Sequence, residues 1–283
     1  MTIVSRIEAA LGQRPLALTP LHGGCVASVD RVDMPGGDRL VAKHARRGGA
    51  ATFLIEARML NDLRATGVVP VPEVIYASDS LLLMEYVHSD GRLDGAAQDD
   101  LARITAALHN ISGDGYGYDY DTVIGPLSQC NQWNSNWREF FRKERLQNMS
   151  AQCMTAGRYG HEMNARILAF CDQIDVHIGV KKSSFLHGDL WGGNVLCAGG
   201  RVTGLIDPAI YYGVDEVELA FMTLFSSVSP RFFDIYGEIR PIEDGFFEKR
   251  CDIYNLWPLL VHVCLFGAVY LPQVDHTLAQ YGC

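Results

Sequence analysis

The apolar positions change period twice along the chain. Ile3, Ile7, Ala10 and Leu11 fall at near-helical spacing before Gly12, which predicts an amphipathic helix over 3–11. Three short runs rich in β-branched residues follow at 16–21, 26–32 and 39–43, separated by Gly23-Gly24 and Pro35-Gly36-Gly37. They predict antiparallel strands joined by tight turns. From 52 to 65 the helical period returns: Phe53, Ala57, Leu60 and Leu63 gather on one face with Glu56 close to it, and Gly67 closes the segment. The extended run Val69-Pro70-Val71-Pro72 then leads into two more strands at 74–77 and 81–86, with Glu85-Tyr86-Val87 leaving the second as a hinge.

Beyond Ser89 the alternation nearly stops. Helical spacing covers 98–111, 136–149, 161–174, 214–226 and 246–256, with a final pair at 259–270 and 273–281. A glycine-rich segment at 112–117 opens a long loop that runs through Gln132, a length that suggests a functional edge or lid. Short strands at 184–186, 194–197 and 202–206 interrupt the helices. The order predicts an α+β chain of two lobes: a small antiparallel-sheet lobe over 1–88 and a larger, mainly helical lobe over 89–283.

Composition narrows the function. A formal charge of -9 and a pI near 5.4 argue against a nucleic-acid partner, and the basic groups Arg46-Arg47 and Arg142-Lys143 with Arg145 read as solvated faces. The eight cysteines show no CxxC pairing, so reduced thiols are expected. The start of the chain carries no basic region followed by an apolar run, which predicts a cytoplasmic protein. The best membrane candidate, 257–271, is short and broken by Pro258 and His262, and a buried helix explains it better.

The chemistry is concentrated in His187-Gly188-Asp189-Leu190-Trp191-Gly192-Gly193-Asn194 and in Ile206-Asp207-Pro208, at the ends of the short strands. Phosphoryl transfer needs a group to accept the proton of the attacking hydroxyl and a divalent cation to screen the triphosphate. Asp189 suits the first task, while Asn194 and Asp207 offer a neutral and a charged oxygen to Mg²⁺. His187 fits a supporting role through hydrogen bonds. In the small lobe, Lys43 on the third strand can meet phosphate oxygens, with Glu56 on the following helix to hold it. Gly23-Gly24 allows backbone N–H groups to approach phosphate, and no GxxxxGK[ST] occurs. Cys25, next to that turn, is a candidate redox site through which a homodimer could form; a monomer is the alternative.

The run HGDLWGGN, with Asp207-Pro208-Ala209 and Tyr211-Tyr212-Gly213, resembles the fructosamine kinase (ketoamine kinase) family of the protein-kinase-like superfamily. Gly23-Gly24, Lys43, Glu56, the segment from Gln132-Trp133 to Arg145, and Glu216 to Phe225 follow in the family's order, so the resemblance covers nearly the whole chain. It implies ATP-dependent phosphorylation of the 3-hydroxyl of a ribulosamine or fructosamine, free or on glycated protein lysines, with adenine at Glu85, Tyr86 and Val87. Trp191, Trp133 and Trp137 are candidates to surround the sugar or its amine-bearing arm, with core packing the competing role for Trp133 and Trp137. Asp215 and Glu216 would attract a cationic substrate or brace the catalytic loop, with bracing preferred for Glu216. An aminoglycoside or other small-hydroxyl kinase needs the same three residues, and a noncatalytic nucleotide-binding protein is the reading from another class.

Overall fold

The computed structural model describes residues 2–21, 27–45 and 52–283. Helix α1 (Ile3–Leu11) starts where the Thr2 hydroxyl accepts the Ser5 N–H at 3.2 Å and stops at Gly12, whose φ of 71° only glycine adopts without cost. Strands β1 (Ala17–Pro20), β2 (Ala27–Asp33) and β3 (Arg39–Ala45) precede helix α2 (Phe53–Ala65), and β4 (Val74–Ser78) and β5 (Leu81–Glu85) complete the sheet. Its order is β1-β2-β3-β5-β4, antiparallel throughout. Gly23, Gly24 and Cys25 lie outside the described residues, as do Arg46 and Arg47.

Alternation along β5 divides the apolar residues between two layers. Leu81 and Leu83 pack with Ile7, Val32, Met34 and Ala42 in a small core under α1. Leu82 and Met84 point the other way and join Phe53, Ala57, Leu60 and Leu63 of α2 in the large core, which continues into the helical part.

That part begins with α3 (Gly95–His109), capped by Asp94, and includes the hairpin β6 (Thr122–Ile124) and β7 (Leu127–Gln129). Then come α4 (Trp137–Phe140), α5 (Asn148–Thr155) and α6 (His161–Gln173). Strand β8 (Ser184–Leu186) pairs with β11 (Tyr211–Gly213), and β9 (Val195–Ala198) with β10 (Arg201–Leu205). Helices α7 (Asp215–Leu224), α8 (Pro230–Ile239), α9 (Cys251–Phe266) and α10 (Leu271–Gln280) close the chain.

Element bounds agree with the apolar pattern to within about three residues in most places. Four departures have physical reasons. The long loop holds the β6–β7 hairpin and lies tightly on its neighbours. The helix expected over 136–149 runs from Trp137 to Thr155 through a π-helical stretch at Phe141–Gln147, which turns Arg145 inward. Arg145 is therefore fully buried, not solvated: its guanidinium lies 3.8 Å from the Tyr211 ring centre and donates to the Cys130 carbonyl and Asn131 Oδ1, each at 2.7 Å. Helix α8 was not expected, although Ser229-Pro230 is a helix start and Phe232 and Tyr236 give it a buried face against α3. Finally, α9 passes straight through Pro258 where a break was expected, because burial of Ile253, Leu256, Trp257, Leu260 and Val263 offsets the missing N–H bond. No helix of the described residues is long and apolar enough to cross a membrane.

Candidate active site

Strand β3 places Lys43 opposite Val29 on β2 and Leu82 on β5, so its side chain leaves the middle of the sheet and is itself buried. Its Nζ meets Glu56 Oε1 of α2 at 2.5 Å and also contacts Asp207 Oδ1. Burial opposes the ammonium charge, but Asp207 and Glu56 outweigh it and raise the Lys43 pKa above the ordinary lysine value. Three residues from distant parts of the sequence therefore converge on one charge.

Asp207 follows β10 with φ of 54°, a left-handed conformation that residues other than glycine seldom adopt, aspartate and asparagine more readily than most. Its backbone is held by two flanking hydrogen bonds, from Ile206 N–H to the Asn194 carbonyl at 3.0 Å and from Ala209 N–H to the His187 carbonyl at 2.8 Å. The loop after β8 is thus stitched to the loop after β10. Asn194 Nδ2 donates to the Asp189 carbonyl at 2.7 Å and to Asp189 Oδ2 at 3.0 Å, which turns its Oδ1 away from Asp189. Burial and the nearby Asp207 push the Asp189 carboxyl well above the usual carboxylate range, with Asn194 pulling the other way. His187 is fully buried, burial lowers its pKa, and its Nδ1 accepts the Asp189 N–H at 3.3 Å.

Between Asp189 and His187, Gly188 has φ of 83°, and a Cβ there would stand 2.0 Å from the Ala209 carbonyl oxygen. Only glycine lets the two loops approach this closely. Asn194 Oδ1 and Asp207 Oδ2 are the oxygens left over that could serve a Mg²⁺ ion, which is usually held by one or two protein oxygens together with phosphates and water. Among the described residues no cluster of three or more His, Cys, Asp or Glu could hold a metal alone.

The sequence profile described as Fructosamine kinase matches residues 1–282. The chain belongs to the fructosamine kinase family. A relative named probable ketoamine kinase in Enterococcus faecium is 35% identical over 235 residues, covering 81% of this chain and 82% of its own. The chloroplastic protein-ribulosamine 3-kinase of Arabidopsis thaliana is 30% identical over 92% of this chain and 80% of its own. A crystal structure assigned as a fructosamine-3-kinase, from Thermobifida fusca, superposes with a TM-score of 0.87 at 29% identity over 98% of this chain and 97% of that one. An aminoglycoside phosphotransferase bound to hygromycin B shares the fold alone, with a TM-score of 0.67 at 16% identity over 99% of this chain and 96% of that one. The family is one of kinases, and its fold is the two-lobed one described above.

In this fructosamine kinase fold the other candidates separate. Trp137 is fully buried between Tyr116, Phe140, Phe141 and Tyr254, so it packs the core and cannot face a substrate. Trp133 is 47% exposed and Trp191 38% exposed, the latter edge-on to Phe225. Asp215 and Glu216 are buried and already paired: Asp215 with Arg240 at 2.6 Å, Glu216 with Arg250 at 2.7 Å, and both with Lys181. They brace the start of α7, and attraction of a cationic substrate is ruled out for both by their burial.

At the hinge, Tyr86 N–H donates to the Arg39 carbonyl at 3.3 Å, and Val87 packs towards Gly204 of β10. A cleft of 510 Å³ lined by Glu85, Tyr86 and Val87 opens towards Arg64, Val69 and Val71 and includes neither Lys43 nor Asp207. It lies on the α2 side of the hinge.

The residue that sequence reading missed is Glu218. Fully buried in α7, it accepts the Gly188 N–H at 2.6 Å and the His187 N–H at 3.2 Å, and meets His109 Nε2 at 3.0 Å. His109 Nδ1 lies 2.8 Å from the Tyr236 hydroxyl of α8. Burial would raise the Glu218 pKa, but His109 and the Gly188 N–H more than reverse this and hold it below the usual glutamate value. Gln129 Nε2 donates to the Ala209 carbonyl at 2.9 Å and to Thr122 Oγ1 at 2.8 Å, and Asn131 Nδ2 donates to the same hydroxyl at 2.7 Å. The only signal for Glu218 was its place two residues after Glu216 on a helix otherwise apolar at that point.

Proposed function

We propose that this chain transfers the γ-phosphoryl group of ATP to the 3-hydroxyl of a ribulosamine or fructosamine, with Asp189 accepting the hydroxyl proton. The observation that supports it most is the joining of Lys43, Glu56 and Asp207 around one charge beside the Asp189–Asn194 pair. Lys43 would neutralise phosphate oxygens, and Glu56 would keep its ammonium in line. Bound Mg²⁺, held by Asn194 and Asp207, would screen the charge that moves across the triphosphate during transfer. Burial and the nearby Asp207 raise the Asp189 pKa, which makes its carboxylate a stronger base than a free aspartate. Adenine would rest on the hinge backbone at Glu85, Tyr86 and Val87, with Gly23-Gly24 over the phosphates and the lobes meeting between residues 88 and 89. Free sugar-amines and glycated protein lysines both carry the required hydroxyl, and a cytoplasmic setting would supply ATP. Trp191, two residues after Asp189 and partly exposed, would offer the sugar an apolar face.

The test is a panel of ribulosamines, fructosamines and aminoglycosides, run with the wild-type protein and Asp189→Asn. Ketoamine phosphorylation should fall by about 10²–10⁴ in kcat in the variant, with nucleotide binding retained. Transfer to aminoglycosides with none to ketoamines would overturn the substrate assignment, and normal transfer by Asp189→Asn would overturn the base.

A further inference from the structure

The glycine-rich segment at 112–117 and Trp133 have no part in the groups above, yet together they enclose a cleft of 650 Å³ whose lining includes Gly113, Asp114, Asp119, Trp133, Asn134 and Tyr212. Its walls are built for close approach. A Cβ on Gly113 would stand 2.9 Å from the Tyr212 ring, and one on Gly115 would stand 2.9 Å from the Asn134 carbonyl oxygen. Trp133 stacks on Tyr212 with ring centres 5.7 Å apart and 30° between the planes. Its indole N–H donates to Asp119 Oδ1 at 3.2 Å, which fixes the ring and brings a carboxylate to its edge.

Asp114 and Asp119 are both exposed, and among the described residues neither has a Lys, Arg or His within salt-bridge distance. Aromatic faces carry a negative quadrupole that attracts cations, and uncompensated carboxylates beside them add to that attraction. The combination of planar apolar surface and flanking charge suits an alkylammonium or guanidinium group better than a metal ion, which would seek converging oxygens.

We propose that this cleft binds an organic cation, and that in the reaction proposed above it holds a second positive charge on the amine carrier of the ketoamine. The placement fits. Tyr212 pairs with Phe185 on β8, and the four residues from Phe185 to Asp189 span at most about 14 Å. A carrier with a positive group several bonds beyond the ketoamine nitrogen covers a comparable distance. Selection for carrier charge would then come from Asp114, Asp119 and Trp133, apart from the residues that handle phosphate.

Two measurements test this. In the first, cadaverine is added to the protein while tryptophan fluorescence is followed, with 1-pentanol as the neutral control. Saturable quenching by cadaverine alone is expected, weakened about fivefold or more in Asp114→Asn/Asp119→Asn and absent in Trp133→Phe. Equal effects of the alcohol and the amine, or undiminished quenching in the double variant, would overturn the site. In the second, kcat/KM is compared for ribulosyl-cadaverine and ribulosyl-pentylamine, and for glycated peptides with lysine or norleucine next to the modified residue. Wild type should favour the charged member of at least one pair by about fivefold, and the double variant should bring that ratio near one. Preference in the diamine pair alone assigns the site to small carriers, and preference in the peptide pair alone assigns it to proteins. Ratios near one in both pairs for wild type overturn the carrier role. If no ketoamine is phosphorylated at all, the reaction itself fails, and the fluorescence result alone decides the cleft.

Discussion

Gly188 and Glu218 are held tightly by what surrounds them. Any side chain at Gly188 would meet the Ala209 carbonyl oxygen while its own φ stays positive, so Gly188→Ala should cost at least about 3 kcal/mol and lower the urea midpoint of unfolding. Glu218 and Asp215 are buried carboxylates whose folded pKa values are held below the unfolded ones by His109 and by Lys181 with Arg240. Such groups stabilise the protein fully above their unfolded pKa and lose that contribution as pH falls through the folded value. Stability should therefore decline as pH drops below about 4.5, and Glu218→Gln should make the decline shallower in urea melts taken at pH 3 to 6, roughly. That Asp189, Asn194 and Asp207 lie together could be read from the sequence because all three sit at the ends of short strands. Glu218 could not, because its partners are backbone N–H groups that only the fold brings within reach.

At the level of elements, helix α2 is the part that most needs outside support, since Glu56 must stay beside Lys43. That support comes from Asp62, one and a half turns further on. Its Oδ2 accepts hydrogen bonds from the Tyr120 hydroxyl at 2.7 Å and the Tyr118 hydroxyl at 3.2 Å, while Arg58 lies 3.6 Å over the Tyr120 ring. Tyr118 in turn stacks on Phe185 of β8. Replacing both tyrosines with phenylalanine keeps the rings and removes the hydroxyls. Loss of two charge-assisted bonds should raise KM for ATP several-fold, with a smaller change in Tm than Gly188→Ala produces, measured by steady-state kinetics and thermal melts. The same scale shows why some elements were hidden. The apolar pattern of α9 was visible, but Pro258 read as a break because burial strong enough to override it cannot be seen in a local window. The π-helical stretch at Phe141–Gln147 has no periodic signature of its own, and it is what turned Arg145 from an apparent surface cation into a core residue.

For the molecule as a whole, the sheet serves two cores of very different size. The small one, under α1, contains Ile7, Val32, Met34, Ala42, Leu81 and Leu83, while the large one runs from α2 through the helical part. Ile7→Ala should cost about 2–5 kcal/mol and loosen α1 and the outer strands first, seen as faster amide exchange in β1 and β2 than in α3 or α9. The two-lobed order was legible because strand-like periods dominate the first third of the sequence and helix-like periods the rest. How the two parts are fastened was not, because the fastening consists of side chains such as Tyr118, Tyr120 and Lys43 that look ordinary in sequence.

That fastening has a consequence for timing. Lys43 touches both Glu56 and Asp207, and α2 is tied down by two hydroxyls. A kinase with this ion pair already formed needs no separate step to assemble it before turnover. Its output should follow the supply of sugar-amine and the number of copies made, from the first turnover onward and without a lag.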